Sequence, residues 1–162
     1  MDKTAPVITI SGLEESGRYR VEEQTVTLIP TDDGGRLNSL KVIIKDANGE
    51  PLKNEAGEDI SVAFDKSGDE LLKYLAENDG KVSFIIPSGL EHSVQVICND
   101  CAVNNEGKTN EYNETFERVT VSTSGLVIYY ANKPLFYGSI AAVVLSISAG
   151  IYFGIIRRRR AK

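Results

Sequence analysis

The chain has 162 residues, with 18 Lys and Arg against 23 Asp and Glu and a formal net charge of −5. The five cations from Arg157 onward leave −10 on everything before them, an acidic surface that excludes nucleic-acid binding as the function. About 125 residues ahead of the apolar C-terminal region suffice for one domain with its own core, and not for two.

In chain order, Val7-Ile8-Thr9-Ile10-Ser11 alternates after Pro6 and stops at Gly12. Gln24-Thr25-Val26-Thr27-Leu28-Ile29 alternates again and is expected to end at Pro30, which cannot donate to a sheet ladder. Asp32-Asp33-Gly34-Gly35 predicts a turn, Leu40-Lys41-Val42-Ile43-Ile44-Lys45 a strand, and Asp46-Ala47-Asn48-Gly49 a second turn into a hairpin reaching Leu52. Ile60-Ser61-Val62-Ala63-Phe64 reads as a strand. After it, residues 69–78 carry Leu71, Leu72 and Leu75 on one helical face, with Ser67 or Asp69 as cap and Asp79-Gly80 as stop. Strands follow at Val82-Ser83-Phe84-Ile85-Ile86, at Ser93-Val94-Gln95-Val96-Ile97-Cys98, and from residue 116 to 122. The expected fold is all-β, an immunoglobulin-like sandwich of about seven strands with a short crossover helix over residues 4–123, followed by one transmembrane α-helix.

A family resemblance accompanies this pattern. Asp2-Lys3-Thr4-Ala5-Pro6-Val7-Ile8 resembles the opening of the bacterial immunoglobulin-like domains found in tandem on surface proteins of Gram-positive bacteria. Asn78-Asp79-Gly80-Lys81-Val82-Ser83-Phe84 and Val94-Gln95-Val96-Ile97-Cys98-Asn99-Asp100 are similar to that family's closing strands. Val119-Thr120-Val121-Ser122-Thr123, with Asn132-Lys133-Pro134-Leu135-Phe136, resembles the last module and anchor of such a protein. The resemblance implies a non-catalytic stalk or spacer that anchors a larger bacterial surface protein. An adhesin or carbohydrate-binding module, or the anchor of an upstream surface enzyme, is the alternative. The chain departs from the family pattern after Asp100, where the loop is longer and carries a cysteine, and at His92, where relatives often have an aromatic residue.

Few residues suggest chemistry. Cys98-Asn99-Asp100-Cys101 holds the only two cysteines, and outside a cell a disulfide across the turn after Cys98 is the expected state; free thiols come next, with a metal or redox role behind them. His92, the sole histidine, falls on the face of Val94, Val96 and Cys98 and reads as a structural, partly buried side chain. No nucleophile motif accompanies it, so neither an enzyme nor a cofactor is expected. Asp32, Asp33 and Asp46, or Asn99, Asp100 and Glu106, offer oxygen ligands to calcium, but without the spacing of a calcium loop they read as solvated turn residues. Lys41 with Asn104 or Asn110 is a remote candidate for an isopeptide cross-link.

The C-terminal region speaks most clearly. Residues 136–156 are uncharged and apolar, and at about 1.5 Å per residue they cover about 30 Å, the thickness of a bilayer core. Arg157, Arg158, Arg159, Arg160 and Lys162 follow, a topology-setting cluster expected on the cytoplasmic side, which leaves residues 4–123 outside and residues 124–135 as a juxtamembrane linker. Leu126-Val127-Ile128-Tyr129-Tyr130 is expected at the lipid interface. The N-terminus lacks a signal peptide, so the chain is expected to be the C-terminal piece of a longer exported protein. No Leu-Pro-x-Thr-Gly site precedes the span, which favours permanent anchoring over sortase processing. Within the span Gly138, Ala142, Ser146, Gly150 and Gly154 recur every fourth residue, a small-residue face suited to self-association. The expected partners are membrane lipid, a second copy through this helix, and a host or cell-wall ligand through upstream domains.

Overall fold

The computed structural model describes residues 4–33, 36–103 and 109–160, and for residues 103 and 158–160 the backbone alone. The chain forms β1 (Val7–Ser11), β2 (Arg18–Tyr19), β3 (Gln24–Thr31), β4 (Leu37–Lys45), β5 (Val62–Ser67), α1 (Gly68–Glu77), β6 (Val82–Ile86), β7 (Gly89–Val103), β8 (Thr109–Val121), α2 (Gly125–Ala131) and α3 (Lys133–Arg160). It is mostly β. One sheet has the order β1-β3-β6 and the other β2-β8-β7-β4-β5; all neighbours are antiparallel except β2 and β8.

Period-2 alternation puts one face of each strand into a shared core. Val26 and Leu28 of β3 with Val82, Phe84 and Ile86 of β6 meet Leu40, Val42 and Ile44 of β4 and Val94, Val96 and Cys98 of β7 in a single hydrophobic cluster. The helix α1 connects β5 to β6 and so carries the chain from one sheet to the other. Its inward residues, Leu71 and Leu75, are buried, and Tyr74 packs edge-on to Phe64 with ring centroids 5.1 Å apart. Ser67 occupies its N-cap position without a side-chain capping bond. The helix ends where Asp79 and Gly80 turn left-handed and the Gly80 N–H donates to the Leu75 carbonyl at 2.7 Å.

Three expectations need correction. Pro30 lies inside β3 rather than at its end, buried and opposite Ile8 of β1. The reason is that β6 pairs with β3 only from Gln24 to Leu28, so at Pro30 the second side of the strand has no ladder to which an N–H would be owed. The last two strands, β7 and β8, are longer than their apolar cores, because polar residues extend the hairpin beyond the region that alternation marks. Finally, residues 124–135 are largely helical, comprising α2 and the first turn of α3. The turn at Gly34 and Gly35, and Asn104, Glu106 and Lys162, lie outside the described residues.

Near the domain's lower end the β7–β8 ladder holds two opposed bulges. His92 pairs with Val119 and Val94 with Phe116, so β8 carries an extra residue there; Gly89 pairs with Val121, so β7 carries one as well. Arg118 and Glu91 sit within these irregularities with φ of 56° and 57°. The β8 bulge explains why Phe116 and Val119, three residues apart, are both buried. It also turns Arg118 outward at the base.

Candidate membrane anchor and its junction with the domain

The helix α3 is apolar on every face. Its stretch Lys133–Arg157 is long and apolar enough to cross a membrane, and its most apolar 18 residues are nowhere buried by the rest of the protein. Leu145, Phe153 and Tyr152 are 69%, 67% and 62% exposed, an arrangement that water penalises and lipid accepts. Arg157 is exposed at its far end, and Arg158, Arg159 and Arg160 continue the helix backbone.

The stripe of Gly138, Ala142, Ser146, Gly150 and Gly154 lies bare. A methyl group added at Gly138, Gly150 or Gly154 would meet nothing within 4 Å. The Ser146 hydroxyl is not free for a neighbour, since it donates to the Ala142 carbonyl at 2.8 Å within the helix, as Ser148 does to Val144. If the stripe pairs two helices it does so by close backbone approach rather than by serine bonds. Gly150→Leu is therefore expected to abolish dimerisation in vesicles, read by energy transfer between labelled chains, without altering insertion; an unchanged transfer efficiency rejects the pairing.

The helix does not hang from a loose linker. The Ser124 hydroxyl accepts the Val127 N–H at 3.5 Å to cap α2, and Asn132 both ends α2 and receives the Leu135 N–H at 3.4 Å at the start of α3. Pro134 then occupies the first helical turn, where its missing N–H costs nothing. Phe136 packs edge-on to Tyr129 and Tyr130, with centroids 5.7 and 5.2 Å away, and the Tyr129 hydroxyl bonds the Ser139 hydroxyl. Lys133 ties this corner to the two-sheet domain. Its ammonium lies 3.6 Å above the centre of the Tyr130 ring and 3.3 Å from a Glu91 carboxylate oxygen.

The two cysteines do not meet. Because β7 runs on through Cys101, there is no turn after Cys98 for a disulfide to span, and three residues of extended strand cover about 10 Å, beyond the about 7 Å that a disulfide tolerates between Cα atoms. Both are free thiols, Cys98 buried and Cys101 exposed. Burial, with the charges of Asp32 and Asp100, pushes the Cys98 thiol up to about 12, so it stays protonated and unreactive at neutral pH.

The remaining polar candidates have structural occupations. Asp100 is fully buried; one oxygen accepts the N–H groups of Ala102 and Asn110 at 3.1 Å each, and the other the Asn110 side chain at 2.8 Å. Asp46 accepts the N–H groups of Glu50 and Asn48 at 2.9 and 2.8 Å, bonds that hold its pKa below the usual value. Lys41 pairs with Asp65 at 2.8 Å, and the Asn110 side chain donates to Asp100 at 2.8 Å, so each has a partner of its own. His92 is buried, and neither ring nitrogen has a hydrogen-bond partner among the described residues. Burial lowers its pKa, outweighing the nearby backbone groups of Lys45, Pro87 and Ser88 and the Asp46 carboxylate.

The base itself has no signature in the sequence. The two-residue strand β2, the helix α2 and the left-handed residues Ser16, Glu91 and Arg118 assemble there, and none has a signal in alternation or in glycine content. Comparison with known protein families, with curated proteins and with solved structures gives no match.

Proposed function

We propose that this chain is the membrane-proximal, non-catalytic module of a larger bacterial cell-surface protein, an immunoglobulin-like sandwich that spaces upstream domains from the lipid and anchors them through α3. The observation that carries the reading is the continuous mechanical path from sheet to span. Glu91 of β7 grips Lys133, Lys133 caps the Tyr130 ring, and Tyr129 and Tyr130 clasp Phe136 at the start of an apolar helix. A force applied to the domain passes into the helix through packed side chains rather than through slack chain.

The strand order supports the sandwich assignment. A three-stranded sheet of the first, third and sixth strands faces a sheet in which a short early strand runs parallel to the last one, an arrangement compatible with immunoglobulin-like topology. The orientation rests on the basic cluster after the span. A protease added outside intact cells is expected to digest residues 4–123 and to spare a fragment ending in the arginine cluster, detected by a C-terminal epitope. Protection of the domain with cleavage of the tail would reverse the topology and overturn the reading.

A further inference from the structure

We propose that the notch between the base of the domain and the first turn of α3 binds the phosphate of an anionic lipid headgroup. The inference rests on α3 spanning a bilayer, because only then does the notch lie at headgroup level.

Ser16, Arg18, Arg118, Ala131, Lys133 and Pro134 line the notch. Arg18 and Ser16 arrive on the segment that docks against β8, where the Ser16 N–H donates to the Glu117 carbonyl at 3.0 Å and the Thr120 N–H to the Gly17 carbonyl at 2.9 Å. Arg118 arrives through the bulge of β8. Lys133 and Pro134 come from the span. Three cations from separate parts of the chain thus converge on one cavity of a domain that is otherwise acidic.

The two guanidinium charges there are not spent internally, while the Lys133 ammonium is shared with Glu91. Among the described residues neither Arg18 nor Arg118 has an ion pair, whereas Arg36, far away at α1, pairs with Asp69. Two carboxylates near in sequence are engaged with other groups, and a third reaches only the lysine. Glu117 accepts the Ser93 hydroxyl at 3.3 Å, Glu15 accepts the Glu117 N–H at 2.8 Å, and Glu91 is the partner of Lys133. Of the four arginines before Arg157, Arg18 and Arg118 line the notch, while Arg20 donates to the Thr123 carbonyl at 3.5 Å. Two unpaired guanidinium forks and a hydroxyl match a phosphodiester, with the Glu91-paired Lys133 ammonium at the edge, and planar guanidinium groups bind phosphate oxygens in pairs. The tyrosines of α2 beside the notch belong to the same depth, the zone of headgroups.

The test uses the full chain in phosphatidylcholine vesicles carrying spin-labelled phosphatidylglycerol or spin-labelled phosphatidylcholine. The fraction of motionally restricted label is read by electron paramagnetic resonance. The wild type is expected to prefer the anionic label, and R18Q/R118Q to lose that preference by about fivefold per arginine, the effect of one cation at a lipid surface. R118K is expected to keep most of it. R118G, whose backbone suits the left-handed bulge, is expected to lose as much as R118Q, which separates charge from folding. The cluster after the span is identical in every variant and cancels. An unchanged preference in R18Q/R118Q, with the protein still floating with the vesicles, overturns the notch and leaves the anchor reading standing. Failure of the wild type to float overturns the anchor reading. Abolition of the preference by added inorganic phosphate would assign the cavity to free phosphate and overturn the lipid assignment.

Discussion

Asp100→Ala is expected to destabilise the two-sheet domain by about 3–5 kcal/mol, the largest effect of any single polar substitution in it. The carboxylate is wholly buried and accepts from two backbone N–H groups and one side-chain amide, tying the outer end of β7 to the start of β8. Removing it forfeits charge-assisted bonds worth about 1.5–3 kcal/mol each and leaves the N–H groups of the half-buried Ala102 and Asn110 without their acceptor. Asp100→Asn keeps the shape but must aim an amide NH2 at one donor set, and should cost less than the alanine change. Urea unfolding of the full chain in mild detergent, followed by circular dichroism, should show a lower midpoint at an unchanged slope. A midpoint for Asp100→Ala equal to wild type would show that the network carries no net stability.

Gly89→Ala is expected to cost about 1–3 kcal/mol, because the added methyl would stand 2.1 Å from Nε2 and 2.3 Å from Cε1 of His92. The conflict lies with a buried ring at a bulge. Removing the ring as well, in Gly89→Ala with His92→Ala, should recover part of the loss, and a double-mutant cycle measures the coupling. The same burial makes a pH prediction. The His92 pKa is lowered in the folded state below its ordinary 6.5, so below about pH 6.5 the unfolded chain takes up a proton that the folded chain does not. Stability from this group is complete above that pH, declines as pH falls through it, and levels off once the folded imidazole also titrates. The depressed Asp46 and Asp59 carboxylates add losses only at more acid pH, since their ordinary values lie near 4. In His92→Phe the decline near pH 6 should vanish while the acid limb remains; a decline that persists would place its source elsewhere.

The legible parts of this chain are those in which neighbouring residues speak for themselves. Val26 and Leu28, or Val82, Phe84 and Ile86, alternate so regularly that their inward face is readable before any partner strand is known. Leu71 and Leu75 mark the buried face of α1 in the same way. Pro30 is not legible, because a proline's tolerance depends on whether a ladder exists on its N–H side, and that is decided by where β6 stops. The expected disulfide depended on a turn after Cys98, but Arg36 offers its carbonyl to the Cys101 N–H at 2.8 Å and keeps the chain beside β4. Residues 124–135 lack strand alternation and read as linker, although Ser124 and Asn132 are recognisable cap residues once the two helices they bound are in view.

By itself the sequence determined the strand-rich domain, the crossover helix and the apolar segment with its basic end, because each depends on local periodicity or on composition over a single run. Only the tertiary structure decided the base. There two bulges turn Glu91 and Arg118 into left-handed backbone, a two-residue strand brings Arg18 alongside, and Lys133 reaches from the span to Glu91. Those groups lie far apart along the chain, and no local pattern encodes their meeting. The register of β7 on β8 does, through the hydrogen bonds and buried faces that admit only one alignment.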